Sequence, residues 1–353
     1  AYGTARGVWA TITGIPDVES PKTASRNPNA VDQNTIINSF AGYENFYFLG
    51  GSAGWANIRG VLTNNINNLK LFEENDYAAK KIDVWGISDK NLFLESNRVL
   101  KQQTKPFFAV IQTADNHRPY SIPAEDKNEF KLLTYSADSL KRFGFESNEE
   151  MNAFRYTDFS YQKFMEAAKK EPYFKNTIFV FVGDHGIRYN GSLEYFPKSW
   201  TEQGLTCEHV PLLFYAPALL KPQRVHNVCS QIDILPSIAS LAKIPYMNNS
   251  LGRNLFDTVA YAQVLGHDEI IPRLPKYTAF VIDHDLHTIG IVNNQYYYLK
   301  NLKTGKDDLV SSIGNNPVKE SAETDSVKNY LQQLTDAYYE TSKYLLLNNK
   351  KRK

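Results

Sequence analysis

Cysteine and methionine are scarce in this chain, with two and three among 353 residues. Cys207 and Cys229 are too few for a disulfide framework and do not fall at zinc-ligand spacing, although the two could pair. Charge of one sign is also lacking. With 39 Lys and Arg against 38 Asp and Glu, the formal net charge is +1, which argues against a nucleic-acid partner held by phosphate neutralisation. No window reaches the roughly 18 consecutive apolar residues that a membrane-spanning helix requires. No internal repeat or low-complexity tract is visible.

What is present is a hydrophobic content of 42% and a charged content of 22%, enough for a globular chain of this length to bury a large core. Tyr and Phe are abundant, at 22 and 20 residues, which fits partly exposed pockets or simply a Tyr-rich surface. Sequons occur at Asn190 and Asn248, triplets that chance also produces.

Two short apolar runs end directly in chemically able residues. "PFFAVIQTADNH" runs from Phe107 to Ile111 and then reaches Thr113 and His117. "NTIFVFVGDHG" runs from Ile178 to Val182 and then reaches Asp184 and His185. Non-alternating runs of this length predict parallel strands buried on both faces. Between them, Ser147 and Glu150 form a capping-box pattern ahead of a helix reaching Lys170, with Met151, Phe154, Tyr161, Phe164 and Met165 at helical spacing. Strand, helix, strand in that order predicts a parallel sheet with ligands at the carboxyl ends of its strands, where His117 and the Asp184–His185 pair would lie. Further on, "DILPSIASLAKIP" reads as a helix from about Asp233. Short strands follow, with turns at Asp283–Asp285 and Asn293–Asn294, and then a helix from Ala322 to Leu347 and a basic tail expected to be solvated. Residues from about 259 onward are therefore read as a smaller antiparallel subdomain covered by a helix.

"GDHG" is the sharpest stretch. A carboxylate and an imidazole side by side at a strand end can ligate one divalent metal, Zn²⁺ or Mn²⁺ rather than Ca²⁺; the plainer alternative is a capping Asp beside a structural His. In the opening "AYGTARG", Thr4 could be a nucleophile activated by such a metal, or an ordinary N-cap. Arg6 could hold an anion.

With these motifs the chain resembles the catalytic domain of lipoteichoic acid synthases and related phosphoglycerol transferases, in the alkaline phosphatase–sulfatase superfamily. The resemblance covers most of residues 1–258 and rests on "GTARG", "FLGGSAGWANIRG", "TADNHRPY", "FVGDHG" and "EHVPLLFYAP" followed by "QIDILPSIASLAKIP". It implies an α/β fold with a mostly parallel central sheet sandwiched by helices, as a catalytic domain over 1–258, and a C-terminal antiparallel β plus helix subdomain over 259–353. It makes Thr4 the catalytic threonine and Thr4, Asp184 and His185 ligands of one divalent metal, Mn²⁺ first, with Zn²⁺ and Mg²⁺ as alternatives. It places Trp55, Asn57 and Arg59 on a head group and His117 and Arg6 on the phosphate side. His209 joins them if its strand runs antiparallel to the others. Ser52 and Ala56 stand where relatives often carry acidic residues, which leaves the exact substrate open. Family members also carry an upstream strand ending in a metal-binding Glu, preceded by membrane-spanning helices; the resemblance implies a fragment that lacks them.

The implied reaction is transfer of a phosphoglycerol-type head group from a membrane phospholipid to an acceptor hydroxyl on a glycan or glycerophosphate chain. It would occur at the outer face of a bacterial cell membrane, reached through segments absent from this chain. Alternatives on the same fold are a phosphoethanolamine transferase, a phosphodiesterase or a sulfatase, and outside catalysis an inactive module that binds glycerophosphate polymers. Formylglycine chemistry is disfavoured, because oxidising Thr4 would give a ketone and "TARG" lacks the required proline. The cluster Asp283, His284, Asp285, His287 suggests a second metal site, but it reads as a hairpin turn far along the chain, which disfavours that reading.

Overall fold

The computed structural model describes residues 2–189, 194–257 and 277–351. The Asn190 sequon and the expected domain boundary between residues 258 and 259 lie outside the described residues. The chain divides into two compact units. One comprises residues 1–39, 180–215 and 221–353, and the other residues 40–179 and 216–220.

The first unit opens with α1 (Thr4–Thr13), a proline-free stretch whose Trp9 and Ile12 are buried to 0% and 2% exposure. Gly14, left-handed at φ 69°, ends it and returns its N–H to the Ala10 carbonyl.

The second unit is built on β1 (Glu44–Leu49), followed by α2 (Ile58–Asn65), β2 (Leu69–Phe72), α3 (Asp89–Leu100), β3 (Phe107–Gln112), α4 (Ala137–Phe143) and α5 (Asn148–Ala168). Its three strands form a sheet in the order β2-β1-β3, parallel throughout, with Phe46 opposite Lys70 on one side and Ala109 on the other. The central strand is buried on both faces, as its continuous apolar run requires. Phe46 and Phe48 share one face and pack with Ile87, Leu92 and Leu100. On the opposite face, Tyr47 donates its hydroxyl proton to Gln112 Oε1 at 2.6 Å. Helix α5 begins where its cap predicts, with the Glu150 N–H donating to Ser147 Oγ. The Glu150 carboxylate does not close the box; it accepts from the Glu146 N–H and the Tyr120 hydroxyl instead.

The chain then forms β4 (Phe179–Val182), α6 (Leu205–Glu208), β5 (Leu212–Tyr215) and α7 (Ile234–Leu241). Strand β4 pairs with β5 as a two-stranded sheet.

The remainder of the first unit is an antiparallel meander of β6 (Ala279–Asp283), β7 (Thr288–Val292), β8 (Tyr296–Asn301) and β9 (Asp307–Ser311), paired in chain order. Its turns fall where the acidic and asparagine pairs predict. Helix α8 (Ala322–Asn348) packs on the meander, with Tyr338 stacked on Phe280 at 5.7 Å. The tail after α8 is not a free solvated end over its described part. Asn349 is buried and donates to Gln33 Oε1 and the Asn34 carbonyl, and Lys350 reaches the Asn29 carbonyl. Both cysteines are unpaired thiols, and burial pushes Cys207 up to about 12.

Candidate active site

Thr4 is the first residue of α1, after Gly3, whose φ of 99° is left-handed territory open to glycine. No side chain caps this helix end and no acidic residue sits in its first turn. The Thr4 hydroxyl therefore lies at the positive end of the helix dipole, where a developing anion is stabilised. Gly7, one turn on, permits the close approach that defines the site. A Cβ there would stand 2.2 Å from the Asp184 carbonyl oxygen, so only glycine lets α1 lie directly on the turn after β4.

That turn carries Asp184 and His185. The Gln231 side-chain amide fixes its course by donating to the carbonyls of Gly183 at 2.9 Å and Asp184 at 2.5 Å. Gly186 donates its N–H to the Cys207 carbonyl at 2.7 Å and has no room for a Cβ against the Thr206 carbonyl. The His185 Nδ1 lies 2.6 Å from the Gly186 carbonyl, which assigns a ring proton to Nδ1. Nε2 faces Thr4 Oγ1 at 3.4 Å and Asp184 Oδ2 at 3.7 Å. Tyr2 meets the imidazole edge-on at 5.3 Å and is itself covered by the Arg188 guanidinium. Arg188 continues to Asp283 at 2.8 Å, tying the turn to β6.

An imidazole nitrogen, a carboxylate oxygen and a hydroxyl oxygen thus converge. This donor set fits a divalent cation. Among the described residues no group of three His, Cys, Asp or Glu side chains forms a metal cluster. The Asp283–His287 stretch is engaged elsewhere: Asp283 and Asp285 pair with Arg188, and His284 Nε2 lies 3.0 Å from the Asp17 carbonyl.

Arg6 is 7% exposed, and its guanidinium pairs with Asp17 at 3.1 Å and donates to the Glu19 carbonyl at 3.0 Å. His209, at the end of α6, sets its ring edge-on against Trp200 at 5.0 Å, and partial desolvation lowers its proton affinity.

In the second unit, the anticipated head-group residues lie on and after a backbone that turns sharply beyond β1. Ala56 and Asn57 are both left-handed, at φ 51° and 59°. Arg59 forms a two-pronged pair with both oxygens of Glu73, whose Oε2 also accepts the Ala53 N–H. Trp55 is 45% exposed and meets Trp85 edge-on at 6.4 Å; Trp85 in turn lies 4.0 Å from the His117 ring. Trp85 thus joins Trp55 to His117, and the only trace of it in the sequence is a Trp before Gly86, whose own Cβ position would collide with the Gly50 carbonyl.

The His117 loop is clamped to α3 by two buried carboxylates. Asp89 donates its N–H to Asp115 Oδ2 at 2.6 Å, while the Ala114 and Asp115 N–H groups donate to Asp89 Oδ1. Burial, and then Asp89 beside it, push the Asp115 carboxyl well above the usual range.

Comparison with known proteins places this geometry in context. The Sulfatase family model matches residues 1–244. Over 316 residues the chain is 27% identical to lipoteichoic acid synthase 1 of Bacillus subtilis, covering 85% of this chain and 46% of that protein. The chain spans less than half the length of the curated relatives it matches first. Among solved structures, lipoteichoic acid synthase LtaP from Listeria monocytogenes superposes with a TM-score of 0.71 at 16% identity, covering 99% of this chain and 81% of that one. A protein in the alkaline phosphatase superfamily from Vibrio parahaemolyticus gives 0.70 at 22% identity, covering 97% and 78%. Both share the α/β fold. With more than half of its length matched, this chain belongs to the sulfatase family of enzymes.

Proposed function

We propose that the protein transfers a phosphoglycerol-type head group from a membrane phospholipid, such as phosphatidylglycerol, to an acceptor hydroxyl through a covalent intermediate on Thr4. The observation that carries this reading is the threonine hydroxyl at the start of α1, 3.4 Å from His185 Nε2 and beside the Asp184 turn. Similarity to lipoteichoic acid synthases supports the substrate class.

Thr4, Asp184 and His185 would hold the divalent ion, Mn²⁺ first and Zn²⁺ or Mg²⁺ as alternatives, which when bound supplies Lewis acidity that lowers the hydroxyl pKa and offsets phosphate charge. The helix dipole at Thr4 adds to this stabilisation. Thr4 Oγ loses its proton and bonds to phosphorus as the bond to the diacylglycerol oxygen breaks; that oxygen takes up a proton and leaves as an alcohol. The acceptor hydroxyl then attacks phosphorus and gives up its proton, and Thr4 Oγ departs and is reprotonated. His209, with its lowered proton affinity, is assigned to a phosphate oxygen or the leaving alcohol. Arg6, committed to Asp17, is assigned to positioning α1 rather than to the anion. To the surface of Trp55, Asn57, Arg59 and His117 we assign recognition of the polar head group or acceptor. The acceptor is a glycan or glycerophosphate chain, and the reaction belongs to the extracytoplasmic face of a bacterial cell membrane. A threonine nucleophile disfavours an aldehyde-dependent sulfatase, since its oxidation yields a ketone.

Peptide mapping by mass spectrometry after incubation with Mn²⁺ and phosphatidylglycerol tests the scheme. A head-group adduct on the Thr4 peptide is expected, and Thr4→Ala should lose both adduct and turnover while its thermal unfolding is unchanged. Turnover by folded Thr4→Ala would sink it.

A further inference from the structure

His117 is an exposed residue on a loop, 113–120, that contains neither helix nor strand. A loop of this kind presents a ring in one orientation only if it is held from outside. Segment 83–89, which runs into α3, holds it at two places. At one end is the Asp89–Asp115 clamp; at the other is Trp85. The Trp85 ring centroid lies 4.0 Å from that of His117, the planes tilted by 51°. Its indole Nε1 donates to the Arg118 carbonyl at 2.6 Å, and His117 Nδ1 lies 3.0 Å from that same oxygen. A carbonyl only accepts, so a ring proton is assigned to His117 Nδ1, and Nε2 is the nitrogen left to meet a ligand. Trp85 thus holds the acceptor that orients the imidazole, and its own face limits the swing of that ring.

Trp85 is anchored through its backbone. Its N–H donates to Asp83 Oδ1 at 2.8 Å, and the Gly86 N–H donates to the Asp83 carbonyl at 3.2 Å, closing a tight turn. The Ile87 N–H donates to the Gly50 carbonyl at 3.2 Å, and a Cβ on Gly51 would stand 2.5 Å from the Trp85 carbonyl. The turn therefore lies against the two glycines that leave the buried strand β1, so the indole is mounted on the sheet and not on the loop it restrains. We propose that Trp85 is a positioning residue for His117, fixing the plane and the proton placement of the imidazole that meets the polar head group or acceptor. Outer partners that fix the tautomer and orientation of a functional histidine act in this way elsewhere. The assignment rests on the reading above that His117 contacts the substrate; the restraint on the ring does not.

Histidine-selective isotope labelling and NMR of the ring nitrogens, in mildly alkaline buffer and without substrate, test the restraint directly; the signal lost in His117→Gln identifies the ring. The parent protein should carry the His117 proton on Nδ1. Trp85→Ala should move both nitrogens toward the mixed-tautomer average of a free histidine, and Trp85→Phe, which keeps a ring but no N–H, should fall between. Ring signals unchanged in Trp85→Ala, or a parent ring protonated on Nε2 alone, would overturn the proposal. Head-group transfer supplies the second arm. Trp85→Ala should slow turnover on the order of tenfold with thermal unfolding unchanged, Trp85→Phe should recover part of it, and adding Trp85→Ala to His117→Gln should slow the reaction no further. Additive losses would also overturn the proposal, because Trp85 would then act on the ligand itself. Should Trp85→Ala not fold, Trp85→Phe carries both arms. Absence of transfer by the parent protein would remove the phosphoglycerol reading, while the ring nitrogens still decide whether Trp85 positions His117.

Discussion

Arg6 and Asp17 form a nearly solvent-free ion pair, and burial, with Glu19 adding to it, raises the Asp17 carboxyl to about 6 despite the guanidinium beside it. Asp17 also accepts the N–H groups of Glu19 and Ala24. Removing it leaves a buried cation and two donors without their acceptor. Asp17→Ala is expected to destabilise the fold by about 3–5 kcal/mol, measured by urea unfolding; a change near zero would show that solvent reaches Arg6. Asp115 allows a gentler test. Its carboxyl is pushed up by burial, then by Asp89, with Asp83 and Asp126 adding to it. The native state therefore keeps a proton that the unfolded chain has lost, and stability falls as pH rises above the ordinary carboxylate range. Asp115→Asn retains an acceptor for the Asp89 N–H and cannot ionise. It should flatten that decline between about pH 5 and pH 8, seen as urea midpoints that no longer drop with pH.

At the scale of elements, what could be read from sequence followed from local rules. Helix α5 has a serine cap and a periodic apolar face, and β6 to β9 are punctuated by Asp and Asn turns, so both were legible. The "GDHG" turn and Thr4 were legible because their chemistry is rare, and the structure brings them together. Strand β1 was not recognised, because "ENFYFLGG" runs into the segment read for its binding residues. The β4–β5 pairing escaped for a different reason: adjacency in a sheet depends on long-range pairing that no window contains. Gly7 and Gln231 escaped too, since nothing in a single sequence distinguishes a glycine that permits backbone contact, or a glutamine that clamps two carbonyls, from their ordinary kin.

For the whole chain, the ends of the first unit are joined. Asn34 donates its N–H to the Asn349 carbonyl at 2.8 Å, and the Asn349 amide answers through Gln33 and Asn34. Asn349→Ala removes those side-chain donors from buried acceptors and should cost about 1–3 kcal/mol. Faster amide exchange at residues 33–35 would register the loss, and unchanged exchange would count against it. The separation of the site's two halves has a consequence of another kind, in time. Thr4 and His185 lie 181 positions apart, so a ribosome adding about 5–20 residues per second exposes the threonine for roughly ten to forty seconds before its partner exists. Through that interval the nascent chain carries the threonine without the turn that faces it in the folded protein.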